Sequence, residues 1–227
     1  MGLFERGYNP WDDVIVRRTA RARRLSLRVS RLDGRVTLTL PPGASDREAR
    51  RFVSSKADWI ARAQAEAVEA VFLEIGATLP IEGVPRLIKA GHGKSPQLEG
   101  DVLRVPEKGT APALRAWVIE RARARARLMV DRYGNVLGHR MTRLTMRDPR
   151  SRWGSCSSAG GIMLSWRLIL APEDIFDYVV AHEVAHLAEM NHGPAFWATV
   201  ERLMPDYDAP RLWLRREGAS LHRYRFD

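Results

Sequence analysis

Apolar and polar positions alternate with a period of two over residues 13–16, 25–29 and 36–40, which predicts three strands, the last two joined by a turn at Asp33-Gly34. Pro41-Pro42-Gly43 ends that sheet. Ser45, with Glu48 three residues on, then caps a helix running to about residue 69, whose apolar face is Phe52, Trp59, Ile60 and Ala63. Residues 76–106 are dense in Gly and Pro and predict a second small β segment with extended pieces at 79–81, 86–89 and 102–105. Over residues 113–133 the Arg-Ala alternation imitates a strand, but its length and helix-forming composition predict a helix. Leu114, Val118, Ala122, Met129 and Tyr133 make its inward stripe, widened by Trp117 and Leu128, with arginines outward and Gly134-Asn135 as the stop. Strands at 144–146 and 162–166 follow, joined by the Ser- and Gly-rich residues 151–161. The expected organisation is a β-rich N-terminal region with one helix over residues 1–107 and an α+β domain over residues 108–227.

The next pattern carries chemistry. Pro172 suits the first turn of a helix, Glu173 and Asp174 favour its positive end, and Ile175, Tyr178, Val179, Val184 and Leu187 recur at helical spacing, which places His182-Glu183-Val184-Ala185-His186 mid-helix. Residues four apart share one helix face, so His182 and His186 can present two imidazole nitrogens to one ion, with Glu183 flanking them. A third ligand is expected from His192, because Met190-Asn191 can break the helix and return the chain to the metal. Glu189 is the alternative third ligand, although one turn after His186 it does not easily fold back. Gly193-Pro194 opens a further helix whose core face is Phe196, Trp197, Val200 and Leu203. A zinc ion on three protein ligands keeps a position for water and lowers its pKa, and Glu183 is placed to take the proton. A short five-residue motif also occurs by chance among ordinary core histidines; the helix break, the third histidine and the packed second helix argue for a metal site. A metzincin is excluded, since Glu189 stands where that pattern needs glycine.

Composition narrows the rest. A chain of 227 residues that is 45% hydrophobic can bury a core. Cys156 is the single cysteine, so an internal disulfide and a thiolate-based zinc site are excluded. No stretch approaches the roughly 18 apolar residues of a membrane span. The first 13 residues also lack the order of a secretory signal, so a cytoplasmic location without membrane contact is expected. The net charge of +10 favours anionic partners, nucleic acid among them.

Arg152-Trp153-Gly154-Ser155-Cys156, the run from Tyr178 through His182, Glu183 and His186 to Leu187, and Met190-Asn191-His192-Gly193-Pro194-Ala195-Phe196-Trp197 closely resemble the YgjP-like metallopeptidase family. The resemblance covers most of the chain and is strongest over residues 147–207. It implies a zincin-like catalytic domain, related to the WLM and SprT-like proteases, with the active-site helix against a small antiparallel sheet. It also implies one zinc ion on His182, His186 and His192, with Glu183 catalytic. For the substrate it implies either a peptide or protein, some relatives acting on proteins crosslinked to DNA, or a nucleotide, since a nucleoside triphosphate pyrophosphatase activity is also attributed to such proteins. The absence of a Walker-type glycine loop favours the peptide. A DNA-associated binding module with a structural metal is the remaining reading, and Glu183 beside an all-histidine site argues against it.

Several residues carry weaker signals. Arg152 could bind an oxyanion or a phosphate, or be a solvated arginine. Cys156 reads as a packing residue before a nucleophile; Tyr207 and His222 could donate hydrogen bonds to the reacting group, Tyr207 equally being a packing residue that caps the second helix, and neither is assigned a catalytic role. Arg17, Arg18, Arg21, Arg23, Arg24, Arg28 and Arg31 crowd the first strands and could meet phosphates. Arginine is abundant throughout, however, and no aromatic interleaving suggests base stacking.

Overall fold

The computed structural model describes residue 11 and residues 14–30, 34–65 and 69–226. The expectations for Asp13, Arg31, Asp33, the leader at residues 1–10 and the helix end at 66–68 lie outside the described residues. The chain falls into two compact units, residues 1–70 and 71–227, each with its own apolar core. The boundary expected at 107/108 is therefore not where the chain divides. Leu79, Ile81, Ile88, Leu103 and Val105 of the second β segment lie in one core with the helices that follow, and apolar burial holds them there.

In the first unit, β1 (Val14–Arg18), β2 (Ser26–Val29) and β3 (Val36–Leu40) form a sheet of order β1-β3-β2, with β1 parallel and β2 antiparallel to β3. Val36, Leu38 and Leu40 alternate into the core against Ala49, Val53 and Ile60. The single helix expected here is two, α1 (Asp46–Ser54) and α2 (Ala57–Ala65). Ser45 and Glu48 do form the capping box, Glu48 N donating to Ser45 Oγ at 3.3 Å and Ser45 N to Glu48 Oε2 at 2.9 Å. The break follows because the Ser55 hydroxyl donates back to the Phe52 carbonyl at 2.8 Å, competing with the helix. Ile60 is buried, whereas Trp59, expected on the same face, is 42% exposed.

The second unit runs through β4 (Val71–Phe72), β5 (Thr78–Ile81), β6 (Val84–Ala90), β7 (Gln97–Glu99) and β8 (Val102–Val105), then α3 (Thr110–Leu137), β9 (Arg143–Arg147), β10 (Gly154–Cys156) and β11 (Gly161–Ser165). A 3-10 turn over Trp166–Leu170 leads into α4 (Glu173–Ala185), α5 (Pro194–Leu203) and α6 (Asp208–Glu217), and a second 3-10 turn over Gly218–His222 precedes β12 (Tyr224–Arg225). One sheet has the order β5-β6-β8-β7, another β10-β11-β9, and β4 pairs with β12. The sheet beside α4 is mixed and not antiparallel, since β11 runs parallel to β9 and antiparallel to β10. No helix among the described residues is long and apolar enough to cross a membrane.

α3 buries Leu114, Val118, Ala122, Ala126, Val130 and Tyr133, a stripe repeating about every fourth residue, and leaves Leu128 72% exposed, against expectation. It does not stop at Gly134-Asn135 but at Gly138, whose φ of 71° caps it in the left-handed region. Gly134 serves a close approach instead: a Cβ there would lie 2.6 Å from the His139 carbonyl oxygen. Nor do all its arginines point outward. Arg121 Nη2 and Arg125 Nη1 donate to the Glu82 carboxylate at 2.7 and 3.1 Å, and Arg125 Nη2 donates to Asp177 Oδ1 at 2.9 Å. This network ties the β5–β6 turn to α3 and to α4, and so fixes the helix that carries the histidines.

Candidate metal centre

α4 is apolar nearly all round, with Ile175, Phe176, Val179, Val180, Val184 and Ala185 buried, as a helix through the middle of a core must be. The histidine motif sits at its C-terminal end and not mid-helix: the last helical residue is Ala185 and His186 is the cap. The chain turns away at once, Leu187 N donating to Val184 O at 2.9 Å and Glu189 N to Ala185 O at 2.9 Å. Gly193 then caps α5 with Pro194 at its first position, as the dipeptide predicts.

This path brings His182, His186 and His192 together, with their ligating atoms all within 4.8 Å of one another. His182 Nε2 and His192 Nε2 face each other at 3.1 Å. Two nitrogens each about 2.1 Å from a tetrahedral ion lie about 3.4 Å apart, so the pair is nearly spaced for shared coordination. His186 Nδ1 donates to the Glu189 carbonyl at 3.0 Å, which leaves Nε2 as its ligand atom, the tautomer control common behind metal-binding histidines. Glu189 thus serves the site through its backbone, and its exposed side chain is not in the cluster. Phe196, fully buried, lies under all three rings with centroid distances of 4.9, 4.5 and 4.7 Å to His182, His186 and His192. Burial and the neighbouring imidazoles push His182 down to about 4, so the ring is neutral at neutral pH, the form that binds a metal. The donor set fits a divalent ion.

Glu183 is only 5% exposed and burial pushes its carboxyl up to about 8, the Arg152 charge pulling the other way. It packs against β10, where Gly154 has no side chain: a Cβ there would fall 2.4 Å from Glu183 Oε1. Gly154 is a site residue that the sequence displayed without showing its purpose. Glu183, His182, Gly154 and Arg152 line one cavity of about 310 Å³ together with Trp153, Tyr178 and Arg211. Arg152 therefore lines the cavity beside Glu183. Arg211 was not foreseen, because it comes from α6 through tertiary packing; it lies over the Trp197 ring at 4.4 Å.

The remaining candidates are structural in their contacts. Burial, then Glu183, pushes the Cys156 thiol up to about 11, which leaves no thiolate to act as a nucleophile. Tyr207 stacks on Trp197 at 5.5 Å and on Tyr178 at 6.4 Å. His222 is buried against Trp153, 5.3 Å between centroids, and lies outside the triad.

Three converging imidazoles and an adjoining buried carboxyl define a candidate metal centre. A family model described as YgjP-like, metallopeptidase domain, matches residues 23–217, and the chain belongs to that family. The family implies a metal cofactor, with which the three-histidine cluster is compatible. The crystal structure of the metallopeptidase zymogen of Pyrococcus abyssi abylysin is similar over 40% of this chain and 95% of its own, at 21% identity and a TM-score of 0.37, too distant to carry an argument. No curated protein matches the chain.

Proposed function

We propose that this chain is a zinc-dependent peptidase in which His182, His186 and His192 hold the metal and Glu183 is the general base. The observation that carries the reading is the convergence of three imidazoles beside a buried carboxyl that opens onto a cavity. Imidazole donors suit several transition metals, and zinc is favoured by hydrolysis without redox chemistry. Bound there, the metal supplies a Lewis acid for the scissile carbonyl and makes an attacking water more acidic. Glu183 accepts the water's proton and returns it to the leaving amine. Glu183 is buried and lines the same cavity as His182, so one carboxyl is placed to act as base and then as acid.

The place for a peptide is the edge of β10. β10 is the terminal strand of its sheet, and Ser165 N donates to Trp153 O at 2.8 Å while Ser157 N donates to Gly161 O at 2.9 Å. Those pairs turn residues 153, 155 and 157 towards β11, so the N–H and C=O of Gly154 and Cys156 face the open edge, where an extended substrate can pair. A nucleoside triphosphate is the competing substrate, favoured by the arginines in the cavity; the open strand edge favours the peptide. Exposed Arg17, Arg18 and Arg28 in the first unit make nucleic acid a further proposed partner, one that salt-dependent DNA binding would reveal.

The test is zinc content together with hydrolysis of casein and of nucleoside triphosphates by wild type and Glu183→Gln. The reading requires one zinc per chain in both proteins and casein cleavage only in wild type. Equal cleavage by Glu183→Gln, or no metal uptake from added zinc, overturns it.

A further inference from the structure

The cavity beside Glu183 has more positive charge than the chemistry of peptide cleavage needs. Arg152 enters it just before β10, while Arg211 and Arg215 enter from successive turns of α6. Like charges four residues apart on a helix repel. Here a third guanidinium faces the same space, yet no carboxylate lies within 4.0 Å of Arg152 or Arg215 among the described residues. Arg211 has only Asp208, at 3.9 Å and 84% exposed.

Trp153, Tyr178 and Leu214 form apolar wall between these charges. A pocket of about 310 Å³ with apolar sides and guanidinium groups at its rim matches a short aliphatic stem that ends in an anion. A triphosphate would instead call for a cradle of backbone N–H groups or a helix N-terminus.

The geometry points to a carboxylate-specific subsite, formed by Arg152, Arg211 and Arg215, that makes the enzyme prefer peptides with an acidic group next to the cleaved bond. The inference rests on the peptidase reading and deepens it. The carboxylate belongs either to an Asp or Glu side chain or to the peptide's free C-terminus.

The experiment uses the full chain with zinc supplied. Binding to Glu183→Gln is followed by fluorescence anisotropy and cleavage by wild type, with three labelled peptides of otherwise equal sequence. One has an internal Glu and an amidated end, one an internal Gln and a free end, and one an internal Gln and an amidated end. Tighter binding of either acidic peptide by about tenfold at low salt, fading as salt rises, supports the subsite, and the peptide that gains identifies the carboxylate's source. The preference should vanish in Arg152→Gln with Arg211→Gln, survive in Arg211→Lys, and weaken in Arg215→Glu. Arg152 and Arg215 are exposed and Arg211 is half-buried over Trp197, so Arg152→Gln and Arg215→Glu should leave the fold intact and thermal melting checks Arg211→Gln. Equal binding and cleavage of all three peptides overturns the subsite and leaves the peptidase reading standing. If no peptide is bound or cleaved, or if nucleoside triphosphates are hydrolysed in their place, the peptidase reading fails and the subsite with it.

Discussion

Gly154 and Glu183, 29 positions apart in the chain, are in contact so close that a single methyl group at residue 154 would occupy the space of the carboxyl, 2.4 Å from Oε1 and 2.6 Å from Cγ. The edge strand β10 therefore sets where the Glu183 carboxyl, the proposed general base, can lie. Gly154→Ala must push the Glu183 carboxyl aside, and under the proposed mechanism a displacement of about 1 Å costs on the order of a hundredfold in rate. The expected result is a fall in kcat of that size with zinc content unchanged, checked by kinetics and metal analysis on one sample. Wild-type activity in Gly154→Ala would mean that the carboxyl is not used where the structure places it.

The three imidazoles and the carbonyl that supports His186 should respond differently to substitution. His192→Ala should remove bound zinc and peptidase activity together, since only two imidazoles remain. Glu189→Ala should retain both, because the His186 Nδ1 proton is held by the backbone carbonyl at residue 189 and not by the carboxylate. Metal analysis after dialysis against a weak chelator distinguishes the two variants, and zinc loss in Glu189→Ala would return its side chain to the ligand set.

What the sequence made legible follows from which interactions are local. His182 and His186 share a helix face, and His192 is only six residues on across a break that Asn191, Gly193 and Pro194 announce, so the triad could be read before any tertiary structure. The capping box of Ser45 and the strands of the first unit were equally local. The hidden features depend on through-space packing. Gly154 meets Glu183 across a strand–helix interface, Arg211 reaches the cavity from α6, and the parallel pairing of β9 with β11 joins segments separated by a crossover through β10. Arg125 shows the same limit: its helix position suggested solvent, but Asp177 and Glu82 draw it inward. The residue 70/71 boundary was missed because only the shared core of Leu79, Ile88 and Leu103 with Val118 and Val180 shows where those strands belong.

Stability should depend on pH through His222. Burial, then the charge of Arg167, pushes this imidazole down to about 4 from an ordinary 6.5, despite the opposing pull of Asp148. The unfolded chain takes up its proton first, so stability from this group is complete above pH 6.5 and is lost as pH falls towards 4. The shift corresponds to about 2 kcal/mol after screening by solvent. His182 acts in the same direction in metal-free protein. Urea denaturation of metal-free wild type and His222→Gln at pH 7 and pH 5 should show a smaller acid loss in the variant. An identical loss in both would mean that His222 does not titrate in this range.

Arg167 is buried, and its carboxylate partner is Asp148. Its Nε donates to Asp148 Oδ1 at 2.7 Å and its Nη2 to Asp148 Oδ2 at 3.1 Å, while Nη1 donates to the carbonyls of Leu221 and Tyr224 at 3.1 and 3.0 Å. The guanidinium also lies over the Trp166 ring at 4.5 Å, so its aromatic and carbonyl contacts remain if the carboxylate is removed. Asp148→Asn keeps the shape and removes the countercharge, leaving a buried cation that cannot be deprotonated. The expected loss is about 3 kcal/mol of folding stability, seen as a lower Tm and a lower denaturation midpoint without a change in slope. Arg167→Met with Asp148→Leu should recover much of that loss, because an apolar pair of similar volume leaves neither charge stranded. Since the Asp148–Arg167 pair anchors the C-terminal turn whose His222 packs on Trp153, Asp148→Asn should also raise KM for peptides through the cavity wall; an unchanged KM would confine its role to stability.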